Sequence, residues 1–232
     1  MSASPNIIFY TDRQCPFAHR VYIALAELEL PFKEQFVDIN VPRTEEYLKV
    51  NPKGKIPSLS YNGEILVESG IIAKFLADAH PSHLIPPSDS EAGALRRARV
   101  DFFVTTYETN VLSLVHKLMF TPSTQEAQGI VSSMVENIVQ EIEPLLVNAK
   151  PYFDGSDKVT LAEVLTASFV LRFISLVRHG ILPPSTSNEL ATRAPHFTRW
   201  AQMIEETPNI AGIYEEMVWV NKFNEKIANA RA

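Results

Sequence analysis

Cys15 is the single cysteine of a 232-residue chain, and its neighbours decide what its sulfur can do. It follows the apolar, β-prone run Asn6-Ile7-Ile8-Phe9-Tyr10 and the polar turn Thr11-Asp12-Arg13-Gln14, and it directly precedes Pro16. Proline suits the first turn of a helix, so the thiol is expected at or beside an N-cap. Unpaired backbone amides and the positive end of the helix dipole favour an anion there. They predict a thiol pKa below the free value of about 8.5, and hence a nucleophile. The competing reading is a small buried hydrophobe, a common fate of free cysteine. A position after a strand, on a polar turn, favours reactivity. Ala18 stands three residues on where a dithiol enzyme has a second cysteine, so a mixed disulfide on Cys15 awaits a thiol from another molecule. A lone cysteine also excludes an intrachain disulfide and a cysteine-rich zinc site, so no metal is expected, and it points to a reducing compartment, with the cytoplasm as default.

The elements that must hold this thiol are legible in the first eighty residues. After Pro16 the apolar positions Phe17, Val21, Leu25 and Leu28 recur on one helical face, and Pro31 marks the end. Lys33 to Ile39 reads as a second strand, and Thr44-Glu45-Glu46 opens a short helix with a cap and first-turn acids. Asn62-Gly63 between Lys55–Tyr61 and Glu64–Val67 signals a hairpin, because both central turn residues need positive φ. Glu68-Ser69-Gly70 then begins a helix with Ile71, Ile72, Phe75 and Leu76. The order β-α-β-α-β-β-α predicts one mixed sheet. Residues 81–90 contain three prolines and read as a linker. From Glu91 on the chain reads as all-helical, over about Glu91–Met119, Ile130–Ile142, Leu161–His179, Thr192–Glu206 and Ile213–Lys226. The expected division is therefore an α/β unit over 1–80, a linker over 81–90 and an all-α unit over 91–232.

Composition narrows the function classes. Hydrophobic residues make up 46% of the chain, which suits a folded protein and not a disordered one. A formal charge of −6 lacks the footprint that phosphate backbones select, so nucleic acid is not an expected partner. The most apolar stretch, Phe169 to Val177, is short and carries Arg172 at its centre, so no membrane span is expected, and the first residues show no secretory signal.

Three elements together carry a family resemblance: Cys15-Pro16-Phe17-Ala18-His19-Arg20 after a strand, Asn51-Pro52-Lys53-Gly54-Lys55-Ile56-Pro57 before a hairpin, and Glu68-Ser69 opening a helix. In this order the chain resembles the cytosolic glutathione transferases, nearest the omega class, with the plant lambda class close behind. The resemblance implies a thioredoxin-like N-terminal domain with a mixed sheet and an all-helical C-terminal domain. It implies glutathione as co-substrate, held by Phe17, Arg43, Lys55, Ile56, Pro57, Glu68 and Ser69, with Ile56-Pro57 as a cis-proline step and Arg43 near the glycine carboxylate. Without the family, Pro57 reads as an ordinary edge-strand proline and Ser69 as the cap of its own helix. The resemblance also implies a homodimer, and a second-substrate site between the domains, for which Phe103, Tyr107, Trp219 and Phe223 are candidate walls. Aromatics at helical spacing are more often core. Thr160-Leu161-Ala162-Glu163 has capping-box spacing and resembles the family's buried capping motif, usually written with Asp where Glu163 stands.

A thiolate at Cys15 suits attack on a glutathione mixed disulfide. The implied activity is thiol transfer and reduction on glutathionylated or small electrophilic substrates, extending to dehydroascorbate or S-conjugates. Two alternatives stand beside it: conjugation, assisted by a hydroxyl such as Tyr10 or Thr11, and a non-catalytic ligand carrier on the same fold.

Overall fold

The computed structural model describes residues 4–121 and 124–231. Four strands, β1 (Ile7–Thr11), β2 (Lys33–Phe36), β3 (Ser58–Tyr61) and β4 (Glu64–Val67), form one sheet in the order β2-β1-β3-β4. β1 runs parallel to β2 and antiparallel to β3, and the β3–β4 hairpin is antiparallel, so the sheet is mixed. Asn62 and Gly63 both take positive φ in the hairpin turn, as the pair requires. Strand β2 is shorter than the sequence suggests and stops at Phe36.

Alternation along β1 sends Ile7, Phe9 and Thr11 to one buried face. Phe9 meets Tyr22 edge-on at 4.7 Å, which docks the sheet onto helix α1 (Pro16–Glu27). Helices α2 (Glu45–Val50) and α3 (Ser69–Ala79) complete this unit. Residues 81–90 are irregular but anchored, since Leu84 is buried and its carbonyl accepts from the Leu161 amide at 2.8 Å.

The remainder is helical: α4 (Glu91–Tyr107), α5 (Ser113–Met119), α6 (Thr124–Asn137), α7 (Leu161–Arg178), α8 (Ser185–Arg193), α9 (Pro195–Glu206), α10 (Pro208–Ala211) and α11 (Glu216–Arg231). Wider π turns at Glu108–Leu112 and Ile138–Ile142 follow α4 and α6, which hydrophobic periodicity does not reveal. The expected Thr192–Glu206 helix is two helices. Pro195 has no amide to continue α8 and turns Ala194 away from helical backbone, to φ −136° and ψ 61°. Helix α7 is buried on nearly every side, because α1, α3, α4 and α9 surround it. One continuous apolar core therefore runs from β1 through α1 and α7 to α9. Among the described residues no helix is long and apolar enough to cross a membrane.

Candidate active site

Cys15 occupies the N-cap of α1 with extended backbone, and Pro16 takes the first helical position. The side chain is 7% exposed. The amides of Phe17 and Ala18 face the sulfur, and the Arg172 cation acts on it from α7, all three favouring the thiolate. Burial outweighs them and, with Asp12 adding to it, pushes the thiol above the ordinary cysteine value. This corrects the expectation of a lowered pKa. The helix end is visible in the sequence, whereas the desolvation comes from elements packed around it.

Phe17, two residues after Cys15, lines a cleft of about 150 Å³ together with Asn51, Lys53, Lys55, Ile56, Pro57, Val67, Glu68 and Ser69. Six of the seven glutathione-binding candidates are thus brought together. The Ile56–Pro57 bond is cis. Its loop is pinned from behind: Tyr47 Oη donates to the Lys55 carbonyl at 2.6 Å, and Asn51 Nδ2 donates to the same carbonyl at 2.8 Å. Glu68 takes φ +68°, a left-handed value that an ordinary residue adopts at a cost. Glu68, not Ser69, is the N-cap of α3, and it makes no side-chain cap. The capping role considered for Ser69 is therefore absent, and among the described residues its hydroxyl has no partner.

Arg43 is the seventh candidate, and it lies elsewhere. It lines a larger cavity of about 460 Å³ between β2 and α2, together with Tyr10. Its guanidinium donates to the carbonyls of Gly54 at 2.8 Å, Asp38 at 2.7 Å and Val41 at 2.8 Å. Arg43 thus supports the loop that carries Lys53 and Lys55 instead of lining the cleft. Gly54 has φ +62°, and a Cβ there would meet Arg43 Cγ at 3.2 Å, so glycine suits the position twice over.

Gln14 and Pro16, the two neighbours of Cys15, line a second cavity of about 130 Å³ with Phe169, Arg172, Trp219 and Phe223 among its other walls. Arg172 is 2% exposed. It donates to the Ser168 carbonyl at 2.7 Å and the Gln14 carbonyl at 3.3 Å, and stacks over Tyr214 and Trp219. Burial lowers its pKa to about 10, still charged at neutral pH. His19 accepts from Arg172 at Nδ1 and donates from Nε2 to the Ile210 carbonyl at 2.7 Å. Burial and the adjacent cation bring it down to about 3, so it is a neutral strut. Arg20 pairs with Glu108 at 2.5 Å. Sequence reasoning missed Arg172 as a site residue. Its one signal was a lone charge at the centre of the apolar stretch Phe169 to Val177.

Residues 14–79 match the family model of the glutathione S-transferase N-terminal domain. Over the wider chain, similarity to glutathione S-transferase omega-1 of Rattus norvegicus is 23% identity across 205 residues, 88% of this chain and 78% of that one. The first unit is thus a glutathione S-transferase N-terminal domain, and the chain as a whole is similar to omega-class glutathione transferases. Solved structures share its fold: glutathione transferase Omega 1C of Trametes versicolor superimposes with TM-score 0.81 at 21% identity, covering 98% of this chain and 99% of that one. Rice GST1 in complex with glutathione gives TM-score 0.82 at 23% identity, covering 97% and 98%. The thioredoxin-like first unit and helical remainder of the chain are those expected from the sequence.

Of the four candidate walls for the second substrate, the structure places Trp219 and Phe223 on the cavity lined by Gln14 and Pro16. Phe103 and Tyr107 are corrected to core. Phe103 is fully buried, with its ring 4.7 Å from Phe153 and 5.5 Å from Trp200, and Tyr107 is 1% exposed. Both sit on the face of α4 turned toward the helical core. The hydroxyls considered as alternative activators line neither the cleft nor that cavity, since Tyr10 lines the cavity that holds Arg43 and Thr11 is fully buried.

Proposed function

We propose that this omega-like transferase is a glutathione-dependent thiol transferase and reductase in which Cys15 carries the glutathionyl group. The observation that supports this reading most is that the residues flanking Cys15 in sequence line two different cavities. Phe17 and the cis-proline loop border the cleft assigned to glutathione, and Gln14 and Pro16 border the cavity assigned to the second substrate. Phe17, Lys55, Ile56, Pro57, Glu68 and Ser69 hold glutathione, Ile56 through its backbone and Ser69 through its free hydroxyl. Residues 1–80 then serve glutathione, residues 91–232 serve the acceptor, and residues 81–90 join them.

In the first step the Cys15 sulfur attacks the glutathionyl sulfur of a mixed disulfide. The Cys15–glutathione bond forms, the original S–S bond breaks, and the partner leaves as a thiolate that takes up the proton Cys15 has lost. In the second step the thiolate of another glutathione attacks the glutathionyl sulfur on Cys15. Oxidised glutathione leaves and Cys15 is restored, so one mixed disulfide and one glutathione give one thiol and one oxidised glutathione. Dehydroascorbate and S-conjugates extend the acceptor range. Because burial holds Cys15 as a thiol at rest, turnover and alkylation both climb as the pH rises past that of an ordinary cysteine.

A coupled assay with a small glutathione mixed disulfide tests the reading. Cys15→Ser is expected to lower turnover at least ~1000-fold, as loss of the covalent nucleophile does. Wild-type rates in Cys15→Ser overturn it. The neutral thiol favours a second reading, conjugation, in which Cys15 donates its S–H to glutathione's own thiolate. Retention of activity toward 1-chloro-2,4-dinitrobenzene by Cys15→Ser, with thiol transfer lost, separates the two. A homodimer and a cytoplasmic location complete the proposal. Ile71 and Phe102 are exposed apolar side chains beside the Lys74–Asp101 ion pair that links α3 to α4. If this face joins two copies, Phe102→Glu gives monomers in sedimentation.

A further inference from the structure

Building on the thiol-transfer reading, we propose that the cavity beside Cys15 selects acceptors bearing a negative charge on a single aromatic ring, an aryl carboxylate or similar anion. The size is the first argument. At about 130 Å³ the cavity suits one ring, since an apolar cavity of ~150 Å³ takes up benzene. Phe169, Trp219 and Phe223 supply apolar walls, with Trp219 and Phe223 4.9 Å apart.

The charge is the second argument. The lining holds Arg172, Lys222 and Lys226 and no Asp or Glu, in a chain where acids outnumber bases by 27 to 21. His116 adds no charge near neutral pH, because burial holds its pKa below the ordinary histidine value. Among the described residues Arg172 has no carboxylate partner, and its Nε is buried with no hydrogen bond at all. Lys222 donates to the neutral Gln14 Oε1. Lys226 has no partner among the described residues. Two acidic groups feel these cations. Asp38 is lowered chiefly by the Asn40 amide and side chain, with Lys222 adding a smaller part, and it faces the neighbouring cavity, while Arg172 acts on the Cys15 sulfur. That leaves the two lysines for a ligand. Glutathione does not need them, because its cleft has Lys53 and Lys55. Arg172, between sulfur and cavity, is also placed to stabilise the charge that grows on the departing aryl thiolate.

Calorimetric titration of the full chain with 4-nitrobenzoate and with 4-nitrobenzamide tests this directly. The carboxylate is expected to bind at least ~10-fold more tightly, as pairing with a desolvated cation requires. In the double variant Lys222→Gln, Lys226→Gln the preference is expected to fall below threefold. Both lysines are at least partly exposed, so the variant is expected to fold. In turnover, the mixed disulfide of glutathione with 5-thio-2-nitrobenzoate should exceed that with 4-nitrothiophenol about 10-fold in kcat/KM, chiefly through KM, and the double variant should lose that ratio. Equal affinities for the two ligands overturn the inference, as does one-for-one displacement of 4-nitrobenzoate by glutathione. Cys15→Ser is expected to keep the binding preference without turnover. A preference that survives in a wild-type chain with no thiol transfer therefore overturns the catalytic reading alone.

Discussion

Two polar constellations lie along α7, one at its start and one toward its other end, and they differ in one respect. At the start of α7, Glu163 is fully buried and every lone pair it offers is used. Oε1 accepts from the Phe153 amide and the Trp200 indole, both at 2.7 Å, and Oε2 accepts from the Thr160 amide at 2.9 Å and its hydroxyl at 2.6 Å. Around Cys15 the polar groups are incomplete: Ser69 and Arg172 are almost as dry, while Glu68 is exposed. The Ser69 hydroxyl and the Glu68 carboxylate have no protein partner among the described residues, Glu68 is held at left-handed φ, and Arg172 Nε is orphaned. Burying an unpaired polar group costs about 1–3 kcal/mol, so a folded chain completes such groups unless something outside it will. Satisfaction, not burial, separates the structural site from the functional one.

If that distinction holds, substitutions at the completed site cost stability and leave turnover alone. Glu163→Gln places an amide NH₂ against donors that need an acceptor, and two of them lose it. The expected loss is about 3–5 kcal/mol in urea denaturation, with kcat/KM of the folded fraction unchanged. The opposite holds at the incomplete site. Ser69→Ala removes no internal hydrogen bond, so the denaturation midpoint stays put. A hydrogen bond to a charged ligand group is worth about 1.5–3 kcal/mol, so glutathione affinity should fall at least ~10-fold. A Ser69→Ala chain that is destabilised but binds glutathione normally would erase the contrast.

How much of this was readable in advance follows the same line. Cys15-Pro16 placed the sulfur on its helix end, and Thr160 with Glu163 announced a capping box, because both are local patterns of backbone donors and nearby acceptors. The Asn62-Gly63 turn was legible for the same reason. What escaped depends on packing between distant segments. Arg172 reaches Gln14 across 158 positions of sequence, and no spacing rule connects them. Burial by α7 and its neighbours reversed the expected direction of the Cys15 shift. Phe103 and Tyr107 went wrong because helical spacing gives a face and not what that face meets.

His19 supplies a strut behind the incomplete site, since it joins α1 to α10 and touches Arg172. Unfolded, it binds a proton below pH ~6.5, whereas folded it stays neutral down to about pH 3. Between those values the unfolded chain holds more protons, so stability rises with pH and is lost on acidification. At pH 5 this group alone removes on the order of 2 kcal/mol, at ~1.36 kcal/mol for each pH unit below the unfolded value. Denaturation midpoints at pH 7.5 and pH 5 should differ accordingly, and His19→Gln should flatten the difference. An unchanged slope in His19→Gln would place the acid sensitivity elsewhere.

Thr160→Ala is the mildest change and the most discriminating. Thr160 Oγ1 accepts from the Ala162 amide at 3.2 Å and donates to Glu163, and loss of such a cap costs about 0.5–2 kcal/mol. Arg172 lies on the same helix, roughly 18 Å further along at ~1.5 Å per residue. Fraying at the first turn should therefore leave it in place, pinned by His19, Gln14 and two aromatic rings. The expected result is a lower thermal midpoint with an unaltered kcat/KM for a charged aryl mixed disulfide. A specific rise in KM for that substrate, with the uncharged one unaffected, would show that the cap sets the position of Arg172, and the completed site would then be part of the acceptor machinery.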